Sequence, residues 1–400
     1  MYKYRLYPSQ KQINRLSNQF EVCRRAYNEL LETSIETYKN TGKHLSKFDL
    51  DECIPYLDVD TSVVFSQVLQ NLSDRVSKSF QNFFRRLKKK QSGKQHIKPG
   101  FPRFKKRFKS TTYPQFGFKL VSDKKLYVSK VGNIPIILHR VPKGKLKTMT
   151  IKRNRAGQWF VIFSCEINTP INIIHSHIDN AVGVDVGIES YATLSSGVHI
   201  PNPRPLVRSE KKIKKLQRKV SRKVKGSKNR GNAVHCLAKA HVGVSNQRMD
   251  FLHKLSRFLT DEFGTIAVEN LNIKNMVHNH HLAKHISDAS WGSFIQMLCY
   301  KAECAGGRVV KNPRTTGSSV RCYKCGKDVP KPLSMRMHVC PFCGVVVHRD
   351  HNSALNHLKD TVGLTGIHAC GDSASTTILR RLVASGVVEA GTIFNGSQFH

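Results

Sequence analysis

Two cysteine pairs impose the strongest constraint on how this chain can fold. Cys322-x-x-Cys325 and Cys340-x-x-Cys343 are separated by residues 326–339, and a glycine directly follows each pair. Glycine lets the backbone turn tightly around a bound ion. Four thiolates in this pattern are typical of a closed tetrahedral zinc site. The spacing therefore predicts one structural Zn²⁺ ion, because four protein ligands leave no open position for water.

Two apolar strand patterns each carry one carboxylate. Asp185 lies within Ala181–Gly187, and Glu269 follows Ile266-Ala267-Val268. A buried carboxylate is costly unless it is paired, hydrogen-bonded or bound to a metal. A third acid, Asp350, precedes a predicted helix. Three carboxylates that meet at a sheet edge can hold two Mg²⁺ or Mn²⁺ ions for phosphodiester cleavage, but the spacing leaves open whether these three meet.

The charge balance indicates the class of partner. The 400 residues include 66 Lys or Arg against 27 Asp or Glu, a formal net charge of +39. Such a surface attracts polyanions, and its affinity for them falls steeply with salt. No apolar run approaches the roughly 20 residues of a spanning helix. The N-terminus lacks the apolar core of a signal peptide. We therefore expect a nucleic-acid partner, no membrane, and a cytoplasmic location in a prokaryotic cell, at the nucleoid when on DNA.

The first half of the chain combines helical and strand patterns. A strand over Tyr4–Tyr7 is expected to end at Pro8, and a helix follows over about Gln10–Tyr38. A second helix is predicted by apolar residues that recur every three or four positions, a stripe that fits a helix-bundle core. They are Phe65, Leu69, Leu72, Val76, Phe80, Phe83 and Leu87.

Short strand patterns from about Tyr113 to Ile167 predict a small antiparallel β domain, which we interpret as a barrel. Gly, Asn and Asp residues separate the strands. The predicted strands are Phe116–Phe118, Leu126–Val128, Ile134–Leu138, Lys147–Lys152 and Trp159–Glu166.

Basic segments supply candidate nucleic-acid contacts. The run from Lys98 to Arg107 interleaves cations with Phe and Pro, which suits phosphate contact and stacking as well as it suits a solvated linker. From Arg208 to Arg230 twelve cations face one anion, Glu210, a balance too uneven for a salt-bridged helix surface. The candidate contact residues in these two segments are Arg103, Lys105, Lys211, Lys215, Arg218 and Arg222.

The C-terminal half carries further local signals. Ser287 is expected to cap a helix that Gly306-Gly307 ends, and Arg308–Val310 is expected to form a short strand. Asp350 should lead into another short helix. Residues 363–400 are rich in Ser, Gly, Ala and Thr with weak periodicity, so they are predicted to form a loosely ordered tail.

Three short motifs surround the carboxylates in a specific order. Gly183–Ile188 comes first, Val268–Lys274 second, and Cys340–Gly344 with Arg349–Ala354 third. They resemble the three RuvC motifs of the TnpB family of transposon-encoded, RNA-guided DNA endonucleases. Further similarity to that family lies in Tyr4–Pro8, Gly100–Phe104, Asp250–Leu255 and Ser287–Gly292.

This resemblance implies an α/β and β multidomain protein. It implies an RNase H-like (RuvC) nuclease domain with an inserted zinc ribbon, and an N-terminal β-barrel with a helical insertion. The expected bounds are 1–9 and 96–172 for the barrel (a wedge-like domain), 10–95 for the helical recognition insertion, 178–310 and 346–362 for the nuclease domain, and 311–345 for the ribbon.

The resemblance also implies an activity and its residues. Members bind a guide RNA derived from the transposon end and use it to find double-stranded DNA beside a short adjacent motif. Asp185, Glu269 and Asp350 would then be the catalytic residues that bind Mg²⁺. The polar face of the second helix, which carries Gln67 and Gln70, resembles the part of the helical insertion that contacts the adjacent motif.

One residue departs from the family pattern. His348 stands where many members have Asp in an Asp-Arg-Asp stretch, whereas Asp350 is intact, so we expect activity to be retained. His348 and His351 could alter metal affinity or its pH dependence.

Other functions could also use a basic chain with these motifs. A DNA transposase that joins strands without RNA and a non-cleaving RNA-guided DNA-binding regulator remain open. A zinc-ribbon RNA-binding protein would leave the buried acids unexplained.

Overall fold

One large β-sheet organises each of two units, Met1–Asn168 and Thr169–His400. The computed structural model describes residues 1–92, 98–167, 180–312, 317–332, 334–362 and 372–388. The mixed α and β composition predicted from the sequence is confirmed.

The first strand of the chain lies in the middle of the first sheet. β1 pairs on both sides with later strands, and every described pairing in this sheet is antiparallel. The strand order is β2-β6-β7-β1-β5-β4-β3, which leaves β2 and β3 at the edges of the sheet as described. The strands are β1 (Tyr2–Leu6), β2 (Ser110–Tyr113), β3 (Phe118–Ser122), β4 (Lys125–Val128), β5 (Gly132–Ile137), β6 (Lys145–Arg153) and β7 (Trp159–Glu166).

The predicted strand Phe116–Phe118 is wrong. Phe116 lies in a turn, and β3 begins only at Phe118. Gly117 between them has a φ of +85°, and a Cβ at this position would lie 2.7 Å from the ring of Phe65. Glycine adopts this left-handed backbone without strain, so Gly117 forms the bend that directly precedes β3.

Helices occupy the segment between β1 and β2. They are α1 (Gln10–Thr41), α2 (Lys47–Glu52) and α3 (Ser66–Gln91), with short 3₁₀ turns at Ile54–Tyr56 and Thr61–Val63. Ser9 and Gln12 form a reciprocal capping box that fixes the start of α1. Both long helices predicted here are confirmed. The apolar stripe of α3 is buried at Leu69, Leu72 and Val76, where it packs in the same core as α1.

The second sheet is mixed. β8, β9 and β10 form an antiparallel meander, whereas β11 runs parallel to both β8 and β12. The order is β10-β9-β8-β11-β12. These strands are β8 (Ala181–Val186), β9 (Ser190–Leu194), β10 (His199–Pro201), β11 (Thr265–Val268) and β12 (Arg308–Lys311). The two strands predicted beside the carboxylates are thus confirmed, and they are neighbours.

Successive residues of β8 point to opposite faces of this sheet. Val182 and Val184 join an apolar cluster with α5 (Lys228–Glu262) and α8 (Trp291–Cys304). Gly183 faces α9 (Arg349–Val362) on the other side. Asp185 is two residues after Gly183, so its carboxylate also points to the face of the sheet that α9 covers.

The remaining helices of this unit frame the sheet. They are α4 (Pro205–Ser221), α6 (Ile273–Met276), α7 (Ala283–Ala289) and α10 (Asp372–Ala384), and a two-stranded ribbon is formed by β13 (Met337–Val339) and β14 (Val346–His348). Within the described residues, no helix combines the length and hydropathy needed to cross a bilayer.

Ser287 does not cap a helix, which corrects the sequence prediction. It lies inside α7, and α8 starts at Trp291 after Ser290, whose φ of +55° breaks the helix. The adjacent Asp288 has a structural role, because its buried carboxylate pairs with Arg248 of α5 at 2.7 Å and accepts the Leu206 N–H of α4 at 3.0 Å.

The expected loose tail over 363–400 is wrong for α10. Ile378, Leu379 and Leu382 of this helix are buried in the apolar cluster of the second sheet. Their burial against other elements supplies the stability that the weak local periodicity did not indicate. Residues 363–371 and 389–400 lie outside the described residues.

Gly183→Ala should destabilise the second unit. Its Cβ would overlap the carbonyl oxygen of Ala354 and lie 3.1 Å from Cβ of Leu358, so α9 would have to move. Overpacking of this kind costs about 1–3 kcal/mol. The matched control is Gly243→Ala on α5, where a Cβ meets nothing within 4 Å and alanine favours the helix. Urea unfolding of both variants measures the difference. Equal midpoints for Gly183→Ala and the unmodified protein would contradict the close contact.

Candidate functional site

Asp185 and Glu269 meet at one edge of the second sheet. Val184 of β8 is in register with Val268 of β11. The residues that follow them, Asp185 and Glu269, therefore lie side by side at the carboxyl ends of two neighbouring parallel strands. One ligand atom each from Asp185, Glu269 and His357 lies within 4.8 Å of the others.

Burial and mutual charge perturb both carboxyl groups. Burial raises the pKa of Asp185, and the negative charge of Asp350 adds to that rise. Burial also raises the pKa of Glu269, and the charge of Asp185 raises it further. A divalent cation between such groups would relieve both effects, and carboxylate oxygens are the donors that Mg²⁺ and Mn²⁺ prefer. The donor set therefore fits such an ion.

Asp350 lies near this pair but outside the cluster of ligand atoms. It stands in the first turn of α9, is 8% exposed, and its Oδ1 is 3.2 Å from Arg349 Nη2. Its charge acts on the pKa of Asp185, which places the two groups in the same neighbourhood. The structure thus brings two of the three predicted carboxylates together, and the complete trio stays a prediction.

Histidines surround the start of α9. His348 Nδ1 accepts the backbone N–H of Asp350 at 3.3 Å, and its ring packs edge-on against His199 at a centroid distance of 4.8 Å. His351 Nε2 lies 3.1 Å from the carbonyl oxygen of Ser195. The residue that departs from the family pattern therefore supports the backbone at Asp350.

Sequence reasoning missed His357 and Asn312. His357 of α9 is fully buried, and its Nε2 lies 3.4 Å from Asp185 Oδ1. Asn312 follows β12, donates its N–H to the Val268 carbonyl at 2.8 Å, and has its Nδ2 3.1 Å from His357 Nδ1. In the sequence, the polar residues of α9 are typical of a solvated helix face. Nothing in that pattern indicates that they are buried.

The four cysteine sulfurs also gather. Cys322 and Cys343 Sγ are 3.6 Å apart, as are those of Cys325 and Cys340, and all four lie within 4.8 Å of one another. A tetrahedral zinc ion with Zn–S bonds of about 2.3 Å would separate its sulfurs by about 3.8 Å. The arrangement therefore fits a structural Zn²⁺ ion.

The glycines after each cysteine pair serve the turn that the sequence predicts. Gly326 and Gly344 have φ angles of +76° and +69°. Their N–H groups donate to the carbonyl oxygens of Cys322 and Cys340 at 2.9 and 3.0 Å.

Buried amides attach the first cysteine turn to α9. Nδ2 of Asn352 and of Asn356 donate to the carbonyl oxygen of Arg321 at 2.7 Å each, and Asn352 Oδ1 accepts the Tyr323 N–H at 3.0 Å. The same helix carries Asp350, so the cysteine cluster and the carboxylate edge share one element.

The basic candidates of α4 form a single exposed stripe. Counted from Lys211, the next three lie four, seven and eleven residues further on, a spacing that puts all four on one face of the helix: Lys215, Arg218 and Arg222. Arg222 is the C-cap residue. Glu210 instead pairs with Lys214 at 2.9 Å and Lys284 at 3.2 Å.

The candidates of the first unit differ in availability. Arg103, Lys105 and Gln70 are exposed. Asn28 of α1 holds the backbone of Lys105 through two hydrogen bonds, at 2.7 and 3.2 Å. Gln67 is engaged within the unit, because its Oε1 accepts the Phe116 N–H at 3.0 Å.

Comparison with known proteins identifies the family. Family models described as "Probable transposase", "Cas12f1-like, TNB domain" and "Helix-turn-helix domain" match residues 165–280, 291–357 and 1–43. A protein of Streptomyces pristinaespiralis named "Putative RNA-guided DNA endonuclease" is 35% identical over 93% of this chain and 90% of its own. The chain belongs to the TnpB family.

Other similarities of this TnpB-family chain are more distant. InsQ of Escherichia coli K12, which carries the same description, is 27% identical over 93% of this chain and 94% of its own. A chain of a Cas12f1–sgRNA–target DNA complex aligns over 89% of this chain and 97% of its own, with 16% identity and a TM-score of 0.35. In the segment matched as helix-turn-helix, this chain has β1 followed by one helix of 32 residues.

Cys340→Ser should lower the zinc content and the stability of the second unit, because ion binding is coupled to folding of the loops that supply the ligands. Elemental analysis of the purified protein and its thermal unfolding midpoint measure the two effects. Cys236→Ser on the exposed face of α5 is the control and should leave both unchanged. A full zinc complement in Cys340→Ser would refute the ligand assignment.

Proposed function

We propose that this chain is an RNA-guided DNA endonuclease that cleaves double-stranded DNA beside a short adjacent motif. The observation that carries the proposal is the pairing of Asp185 and Glu269 at the carboxyl edge of β8 and β11, within a chain of the TnpB family. The names of the relatives supply the RNA-guided character of the activity.

Divalent metal ions belong to this proposal. Asp185, Glu269 and Asp350 would hold two Mg²⁺ or Mn²⁺ ions, which when bound would activate water and stabilise the leaving 3′ oxygen. The chain itself supplies the carboxylate oxygens of Asp185 from β8 and of Glu269 from the residue that follows β11. The third carboxylate belongs to Asp350 on α9, and Arg349 forms an ion pair with it.

We further propose an RNase H-like (RuvC) fold for the second unit and a β-barrel with a helical insertion for the first. The five-stranded mixed sheet, whose parallel strands end in carboxylates, supports the former. The seven-stranded antiparallel sheet with its helices between β1 and β2 supports the latter. The cysteine cluster would be the zinc ribbon.

Guide RNA and target DNA are the proposed partners of the basic surfaces. The stripe on α4 and the exposed cations Arg103 and Lys105 would neutralise phosphates, which gives affinity without sequence preference. Gln70 remains the better candidate for contact with the adjacent motif, because Gln67 is already hydrogen-bonded to the backbone of its own unit.

Asp185→Ala should lower the cleavage rate about a thousandfold, because several kcal/mol of metal-ion catalysis would be lost. DNA binding should persist, since phosphate contacts remain. The control is Asp250→Ala, an exposed acid of α5. Cleavage of a labelled duplex and gel-shift binding are measured with the co-purified RNA in place. Undiminished cutting by Asp185→Ala would remove the active-site assignment.

Matched and mismatched targets separate guided from unguided activity. The protein, purified with its bound RNA and supplied with Mg²⁺, should cut only DNA that matches the sequenced guide. Since one family model is described as a transposase, joined strands without bound RNA are the result that would favour that alternative.

A further inference from the structure

His357 is a buried polar group whose role the proposed function leaves open. Its side chain is fully buried on α9, two helical turns beyond Asp350. Nε2 lies 3.4 Å from Asp185 Oδ1, and within the part of the chain that the structure describes it forms no hydrogen bond of good geometry. A buried polar nitrogen is costly to leave unpaired, so this carboxylate is the natural acceptor for it.

The other ring nitrogen fixes where the proton resides. Asn312 Nδ2 lies 3.1 Å from His357 Nδ1 and donates to Asp360 Oδ2 at 3.0 Å. A carboxylate only accepts, so the amide nitrogen of Asn312, and not its oxygen, must be the atom between Asp360 and His357. Arg321 Nη2 holds the same Asp360 oxygen at 2.5 Å.

The tautomer of His357 follows from this arrangement. The amide nitrogen has two hydrogens, one for Asp360 and one for His357 Nδ1. Nδ1 therefore accepts, and in the neutral ring the proton is carried by Nε2, which faces Asp185. A metal ligand would need a free electron pair on Nε2, so the ring is set up to donate to the carboxylate instead of binding an ion.

We propose that His357 is a positioning residue that orients the Asp185 carboxylate for metal binding by donating its Nε2–H to Oδ1. This inference rests on the proposed function of Asp185 as a metal ligand. Asn312 fixes the tautomer, and Arg321, beside the first cysteine turn, fixes Asn312 through Asp360. The segment that holds zinc is thereby connected to the catalytic carboxylate through side chains alone.

Two substitutions of His357 separate donation from packing. His357→Leu keeps an apolar side chain of moderate size but has no donor, whereas His357→Gln can place an amide N–H near the position of Nε2. Loss of the donor should weaken Mn²⁺ binding, measured by calorimetry on the zinc-loaded full chain, about 10- to 100-fold. His357→Gln should bind Mn²⁺ more tightly than His357→Leu, because its amide N–H restores a donor to Asp185. Thermal unfolding shows whether each variant is folded.

The tautomer can be observed without any activity assay. Two-bond ¹H–¹⁵N spectra of the ¹⁵N-histidine-labelled protein, with the His357 signals identified by their absence in His357→Gln, should show a protonated Nε2 and a bare Nδ1. A proton on Nδ1 would overturn the proposal, whatever the variants do.

The remaining outcomes are equally decisive. Unchanged Mn²⁺ affinity in His357→Leu would mean that the residue only fills space. Equal weakening in both variants would indicate that His357 is itself a metal ligand, and would also overturn the proposal. Asp185→Ala in the same titration tests the underlying site: if it binds Mn²⁺ normally, the proposed metal site fails. If it loses binding while His357→Leu does not, only the role of His357 fails.

Discussion

The close packing of α9 on β8 is the constraint on which the second unit depends. Gly183 has no side chain, so the backbone of α9 at Ala354 approaches the strand directly. The next outward position on the same face of β8 is Asp185. A helix held at this distance brings its own polar residues to the carboxylate edge, and a bulkier residue at position 183 would hold it away.

Buried polar groups then fix the helix in one register. Asn352 and Asn356 bind the carbonyl oxygen of Arg321, and Asp360 binds its guanidinium group. Directional hydrogen bonds in a low-dielectric interior discriminate strongly between alternative positions, because an unmade bond there is costly. A structural zinc ion would thus influence the carboxylate edge through the helix that both share, although it takes no part in the chemistry.

The charge distribution separates two kinds of surface. The proposed metal-binding acids Asp185 and Glu269 are partly buried at the ends of two neighbouring strands. The exposed stripe of α4 carries Lys and Arg with its one acid, Glu210, already paired elsewhere. A polyanion can therefore bind the cations of this stripe without meeting an unpaired acid on the same helix.

Local patterns gave a large part of this description. The apolar runs around Asp185 and Glu269 predicted β8 and β11. Recurring apolar residues predicted α1 and α3. The helix break at Ser290 and the burial of α10 were missed, because a left-handed residue and a distant packing partner leave little trace in local periodicity.

By itself the sequence determined the long helices α1 and α3, the strands β8 and β11, the cysteine turns and the acids that interrupt apolar strands, since each depends on residues within a few positions of one another. Only the tertiary structure decided which side chains meet. It placed Glu269 beside Asp185, left Asp350 outside their ligand cluster, and brought His357 and Asn312 to the site. These contacts join residues far apart in the chain, and they are set by how strands pair and how closely α9 can approach the sheet.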